Sequence, residues 1–170
     1  FRSKPHLLQD RLYVNDGAGT FTKSRSALPN FISSGSRAYA IDFDHDGDQD
    51  LFVGGRLVPA SYPYPADSYL LRNDSKDGQI RFTNVTRDVA PDLFNLGLVT
   101  AAQFIDIDQD GWEDLLVTGE WMNVKVFRNN QGQFEDYSEE AGLTDSRGWW
   151  FSLVAADFDQ DGDQDLLAGN

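Results

Sequence analysis

The sequence predicts an all-β protein: about three four-stranded antiparallel blades of a β-propeller, cut from a larger ring. Three observations lead there. An acidic phrase of pattern D-x-D-x-D-G-x-x-D-L occurs at residues 42–51, 106–115 and 157–166. A hairpin phrase with an Asn turn also occurs three times, at residues 11–21, 69–82 and 124–134. The two phrases alternate, with acidic phrases 64 and then 51 residues apart and the turn Asn of the hairpin phrases (Asn15, Asn73, Asn129) 58 and then 56 apart. Such a period suits one small β-sheet per repeat, and four short strands per repeat make a propeller blade.

The elements follow in order. Residues 11–21 read as strand, Asn-Asp-Gly turn, strand. This is a back half-blade over about 11–28. Apolar runs then lead into the first acidic phrase and out of it through Leu51, Phe52 and Val53. They are rich in strand formers and soon reach Gly, so they read as buried strands. With the hairpin of 69–82 they form a full blade over about 36–90. The pattern repeats over about 100–143. A last front half-blade covers about 150–170. The closing residues of two hairpins also agree: Phe82, Thr83 and Asn84 resemble Phe134, Glu135 and Asp136.

Each acidic phrase holds five carboxylates in nine residues, which repel one another unless a cation sits among them. Asp42, Asp44 and Asp46 occupy loop positions 1, 3 and 5, as do Asp106, Asp108 and Asp110, and Asp157, Asp159 and Asp161. Gly47, Gly111 and Gly162 fill position 6, where a Ca²⁺ loop turns sharply. Main-chain carbonyls at position 7 (Asp48, Trp112, Asp163) can add a ligand, and Asp50, Asp114 and Asp165 at position 9 can close the loop. Hard oxygen donors without His or Cys favour Ca²⁺ over zinc or copper, with about three ions expected. An EF-hand is excluded, because position 12 carries Val53, Val117 and Ala168 where a bidentate Glu is needed. The bland alternative is three acidic surface turns without metal. The threefold recurrence of Gly and closing Asp weighs against it.

The net charge is −14, from 28 acidic and 14 basic residues. Fifteen of the acidic residues lie in the three phrases, leaving 13 against 14 basic ones elsewhere. Three bound Ca²⁺ would move the net charge to about −8. No basic patch emerges, which opposes nucleic acid and anionic membrane as partners. No apolar run approaches a membrane span, so direct insertion is not expected. The chain is 40% hydrophobic and 13% aromatic, enough for a core, and it lacks Cys. That excludes disulfides and thiolate chemistry and disfavours a disulfide-rich animal ectodomain. The opening at Phe1, without Met or signal peptide, points to an excised piece.

Residues 56–67 interrupt the first full blade, and Pro59, Pro63 and Pro65 forbid a central strand there. A long Tyr/Pro loop on a rigid scaffold suits recognition; the plainer role is a clamp on the neighbouring blade. Trp112, Trp121, Trp149 and Trp150 can stack on sugars, but packing between blades is the favoured expectation. His6 and His45 are too isolated for a metal or general-base site, and His45 is expected to face solvent. Asn73 and Asn84 open glycosylation-type triplets, a pattern common by chance.

The acidic loops and Asn-turn hairpins resemble the FG-GAP/VCBS repeats of integrin α-subunit heads and of bacterial surface proteins. The resemblance covers about Arg11 to Asn170. Gly54, Gly55, Arg56 and the insert after them, with Gly148, Trp149 and Trp150, further resemble the bacterial group related to cartilage acidic protein. Its members often carry an ASPIC/UnbV segment, absent here. The resemblance implies Ca²⁺ in the loop joining the first two strands of each blade, held by the fifteen residues at positions 1, 3, 5, 7 and 9. It implies an integrin-like extracellular module for binding or cell adhesion.

No nucleophile–base constellation and no phosphate-binding Gly loop is present. The expectation is therefore a non-enzymatic, extracytoplasmic (secreted, periplasmic or cell-surface), bacterial binding or scaffold segment with structural Ca²⁺. Its ligand would be a protein or a carbohydrate. The alternative is a non-catalytic part of a carbohydrate-active or other secreted enzyme. A third reading, an RNA-binding cytosolic protein, is opposed by the acidic charge. Half-blades at both ends further suggest a homo-oligomer, with two copies sharing blades.

Overall fold

The computed structural model describes residues 5–170. The fold is all-β, as expected, and built of antiparallel blades. A two-stranded hairpin comes first, β1 (Tyr13–Asn15) with β2 (Phe21–Lys23). A four-stranded meander follows: β3 (Ser34–Ile41), β4 (Asp50–Leu57), β5 (Tyr69–Asn73) and β6 (Phe82–Asn84). The second meander is β7 (Leu98–Ile105), β8 (Asp114–Met122), β9 (Lys125–Asn130) and β10 (Gln133–Asp136). The short β11 (Gly148–Trp149) adds to β8 near its end. A last hairpin joins β12 (Ser152–Ala156) to β13 (Asp165–Gly169).

The blades repeat their register. Leu51 faces Leu71 across β4–β5, and Leu115 faces Phe127 across β8–β9. In both, the residue after the closing Asp opposes the residue two before the turn Asn. Each blade also ends alike. The Asn84 carboxamide oxygen accepts from Thr86 N–H and hydroxyl, and the Thr86 hydroxyl accepts Leu70 N–H at 2.8 Å. In the second blade Asp136 and Ser138 take those places, Ser138 accepting Val126 N–H at 3.1 Å. These Asx-type turns satisfy main-chain donors where the ladder stops. A one-turn helix, α1 (Thr86–Val89), lies beyond the first of them. The repeat pattern gave no sign of it.

The main core lies between the two full blades. Ile41, Phe43, Phe52 and Leu70 of the first pack with Val99, Leu115, Val117 and Phe127 of the second. Phe52 and Leu115 are fully buried, each stabilising the fold by about 1.5–3 kcal/mol. The blades approach so closely that a Cβ on Gly54 would meet Val99 Cγ1 at 2.7 Å. A second cluster of Val53, Leu71 and Phe82 packs on Leu12, Leu28 and Phe31 from the first hairpin segment. At the other end β12 lies along β7, and Gln103 Oε1 accepts Ala155 N–H at 2.9 Å.

The expected 56–67 loop begins only after β4 ends at Leu57, and the end of β4 and this loop together clamp the second blade. Arg56 forms an ion pair with Glu120, and Tyr62 donates its hydroxyl to Glu120 Oε2 at 3.3 Å. The expected packing of the tryptophans is only partly met. Trp121 is half exposed: within β8 it is the unpaired residue between Glu120, which faces Trp149, and Met122, which faces Gly148, at φ 61°.

Candidate metal centre

The three acidic loops link the first two strands of a blade or half-blade, and they share one construction. In the first, the Asp42 carboxylate accepts Asp46 N–H at 3.1 Å and Gly47 N–H at 3.0 Å. In the second, Asp106 accepts Asp110 N–H at 3.1 Å and Gly111 N–H at 2.9 Å. In the third, Asp157 accepts Asp161 N–H at 3.1 Å and Gly162 N–H at 3.0 Å. Position 1 thus orders the turn with its own carboxylate. Gly47, Gly111 and Gly162 have φ of 93°, 91° and 101°, which only Gly adopts without strain. Position 4 is also left-handed, at His45, Gln109 and Gln160.

Positions 1, 3 and 9 converge. Asp42, Asp44 and Asp50 each offer one oxygen, all within 4.8 Å of one another. Asp106, Asp108 and Asp114 do the same, and so do Asp157, Asp159 and Asp165. Each triad could hold a metal ion. Position 5 stands outside these triads: Asp46, Asp110 and Asp161 accept the N–H of position 7 at 2.9, 2.9 and 3.1 Å. That bond holds Asp48, Trp112 and Asp163 over the loop.

The closing Asp is the most constrained residue. Asp50 and Asp114 are fully buried. Asp50 Oδ2 accepts Phe43 N–H at 3.2 Å and Oδ1 accepts Asn73 N–H at 2.7 Å. Asp114 accepts Ile107 N–H at 3.0 Å and Asn129 N–H at 2.7 Å. Asp165 accepts Phe158 N–H at 3.0 Å. Burial pushes the Asp50 carboxyl up to about 6, against two main-chain hydrogen bonds that lower it. Burial likewise raises Asp44 and Asp114, and the neighbouring carboxylates add to it. Asp44 Oδ1 is buried without a hydrogen-bond partner. An all-oxygen donor set, raised carboxyls and an orphaned buried oxygen together fit a hard cation.

Charge compensation differs between loops. Arg128 reaches Asp108 and lies 3.7 Å from Asp110. Arg72, at the matching place in the first blade, pairs with Asp74 at 2.8 Å instead. His45 does not simply face solvent. Its ring stacks on Trp112 at 3.8 Å and 10°, and Nε2 lies 3.5 Å from Glu113 Oε2. First and second loops therefore touch through side chains.

Asn73 and Asn129 were legible only as turn residues, yet both brace the closing Asp. Asn129 is fully buried, and its side chain donates to Phe43 O at 3.0 Å and Glu113 O at 3.2 Å. It also accepts Gly132 N–H at 2.8 Å. Recurrence of Asn two residues beyond the strand pair was the available signal. Asn73 and Asn84 of the glycosylation-type triplets are both engaged in these turns.

A comparison with curated proteins finds no match. A family model described as an FG-GAP-like repeat matches residues 8–53 and 106–168. Those two segments cover more than half of the chain and include the first hairpin and the three acidic loops. The chain belongs to the FG-GAP-like repeat family.

Proposed function

We propose that this chain is a calcium-stabilised, non-catalytic β-propeller module of an extracytoplasmic protein, serving binding or adhesion. The observation that carries this is the threefold convergence of three carboxylates on a main-chain-ordered turn. Hard carboxylate oxygens and a flexible shell suit Ca²⁺ better than Mg²⁺, which demands near-octahedral closeness. Asp42, Asp44 and Asp50 would hold one ion, with Asp46 and the carbonyl of Asp48 close by in the loop. The corresponding residues of the second and third loops would hold the others.

The ion's role would be structural. It would neutralise the buried closing Asp and fix the strand-to-strand turn, so its binding energy becomes folding energy. An extracytoplasmic place would supply the calcium such loops need. No helix among the described residues is long and apolar enough to cross a membrane. Calorimetric titration with calcium, after verified metal removal, is the direct test. Binding near three ions per chain supports the reading. No heat and no shift in melting temperature on adding calcium would refute it.

A further inference from the structure

We infer that the cleft between the 56–67 loop and the end of β8 is a binding site for pyranose sugars. The cleft has a volume of about 410 Å³ and is lined by Pro63, Pro65, Glu120, Trp121 and Arg147, among others. It lies at the far end of β8 from Asp114, about 25 Å from the acidic loops at ~3.3 Å per residue. It is thus separate from the metal centres and goes beyond the role proposed for them.

Trp121 is the anchor. It is 51% exposed and sits at φ 61°. A left-handed backbone at a bulky residue costs on the order of 1–3 kcal/mol. Core packing does not repay that cost for a ring left half in solvent. Yet the ring is held firmly. Its indole N–H donates to the Tyr62 hydroxyl at 2.8 Å, and that hydroxyl donates to Glu120 Oε2 at 3.3 Å. Glu120 is 5% exposed and paired with Arg56. Arg147 Nε donates to the carbonyl of Trp121 at 3.1 Å. A chain of hydrogen bonds rooted in a partly buried ion pair therefore fixes an exposed, strained indole. Preorganisation of this kind lowers the cost of binding.

The surface continues beyond Trp121. Trp149 meets it edge to face at 4.3 Å and 69°, and Phe151 lies 6.4 Å from Trp149 at 34°. Phe151 is 46% exposed. The result is a short aromatic ladder bordered by the Tyr62 phenol and the Arg147 guanidinium. A pyranose offers a flat C–H face to the electron-rich ring faces. Its hydroxyls both donate and accept, matching a border that holds both kinds of group. A proline-rich peptide would also meet aromatic rings, but its prolines carry no hydroxyls to meet the polar border. A polyanion would meet a chain of net charge −14.

The test uses the calcium-loaded chain titrated with cellohexaose, chitohexaose and xylohexaose, followed by tryptophan fluorescence and calorimetry. At least one hexaose should bind in the millimolar range or tighter. Trp121→Gly should weaken that binding by about tenfold or more while the melting temperature holds or rises, since Gly relieves the left-handed strain. A purely structural Trp121 predicts the opposite pattern. Absence of binding to all three sugars would overturn the inference. So would equal binding by Trp121→Gly, or Trp121-dependent binding of polyproline alone. The calcium-dependent melt of the same sample reports separately on the metal reading.

Discussion

The main-chain N–H of Asn129 meets Oδ1 of Asp114 at 2.7 Å, the same distance at which Asn73 meets Asp50. A residue from the third strand of each blade thus seats the carboxylate that closes the loop between the first two. The two braces differ in burial. Asn129 is fully buried with three side-chain hydrogen bonds, whereas the Asn73 amide bond to Gln49 O is exposed. Asn129→Ala should therefore cost about 3 kcal/mol and Asn73→Ala about 1 kcal/mol. Chemical denaturation of both variants checks this. Both variants keep the main-chain N–H on the closing Asp, so equal losses would show that burial does not set the cost of losing the Asn side chain.

Acid should act in opposite senses on the metal-free and calcium-loaded protein. Asp50 sits at about 6 when folded, against an ordinary value of 3.8, chiefly through burial. Asp44 and Asp114 shift the same way for the same first cause. A raised carboxyl makes the folded state bind protons more readily than the unfolded one. The metal-free fold therefore loses stability as pH rises from about 4 through about 6, and the penalty is complete above that. With calcium bound, protons compete with the ion, so the stabilisation by calcium should shrink on acidification. Melting curves at about pH 5 and 7, with EDTA and with calcium, should converge toward the lower pH.

Asp74 and Asp136 act below that window. Asp74 is lowered by the Thr83 hydroxyl and Arg72. Asp136 is lowered by Lys125 and Ser138, although burial opposes them. Their contribution is present above the unfolded value and lost only as pH falls through the folded one. Lys125→Met should weaken acid resistance below about pH 4 while leaving the behaviour between 4 and 6 unchanged. Acid titration followed by circular dichroism separates the two ranges.

The stack of His45 on Trp112 predicts communication between the first two loops. His45→Ala should change the melting temperature little, since an exposed contact of this kind stabilises by about 1 kcal/mol or less. It should instead make calcium binding at the first loop independent of the second. Calcium isotherms of Trp112→Ala and His45→Ala, compared with the parent, read this out. Unchanged isotherms would restrict the stack to surface packing.

The hairpins at either end of the described residues are complementary. Asp165 holds Phe158 N–H as its counterparts hold theirs, and Asn15 stands where Asn73 and Asn129 stand. Tyr13, Phe21 and Leu167 are exposed at 50%, 62% and 58%. Repeating the register of Leu51 with Leu71 would set Leu166 of one copy opposite Tyr13 of another. We expect such pairing to produce dimers at micromolar concentration, broken by Leu167→Lys. Light scattering that finds only monomer would dismiss it.

The repeated phrases made the all-β, blade-like fold readable, and with it the acidic loops between paired strands, because each depends on residues close in sequence. The closing role of Asp50 was readable from its spacing. The Asn129 bond to Phe43 O was not, since it joins separate blades. Trp121 escaped for a related reason: its exposure depends on Tyr62 and Glu120, brought together only by folding. The departure of position 5 from the triads likewise follows from main-chain N–H groups, which the pattern of side chains does not reveal.

The Asn129 bond to Phe43 O spans 86 residues, and a Cβ on Gly132 would sit 3.3 Å from Asp44 Cβ. The first loop is thus finished by a turn that leaves the ribosome long after the loop itself. During synthesis the first blade can form its ladder early, but the wall around Asp44 must wait. Contacts of such separation form slowly. Full affinity of the first loop for its ion should therefore arise late, and a nascent chain halted before Asn129 should hold calcium there only loosely.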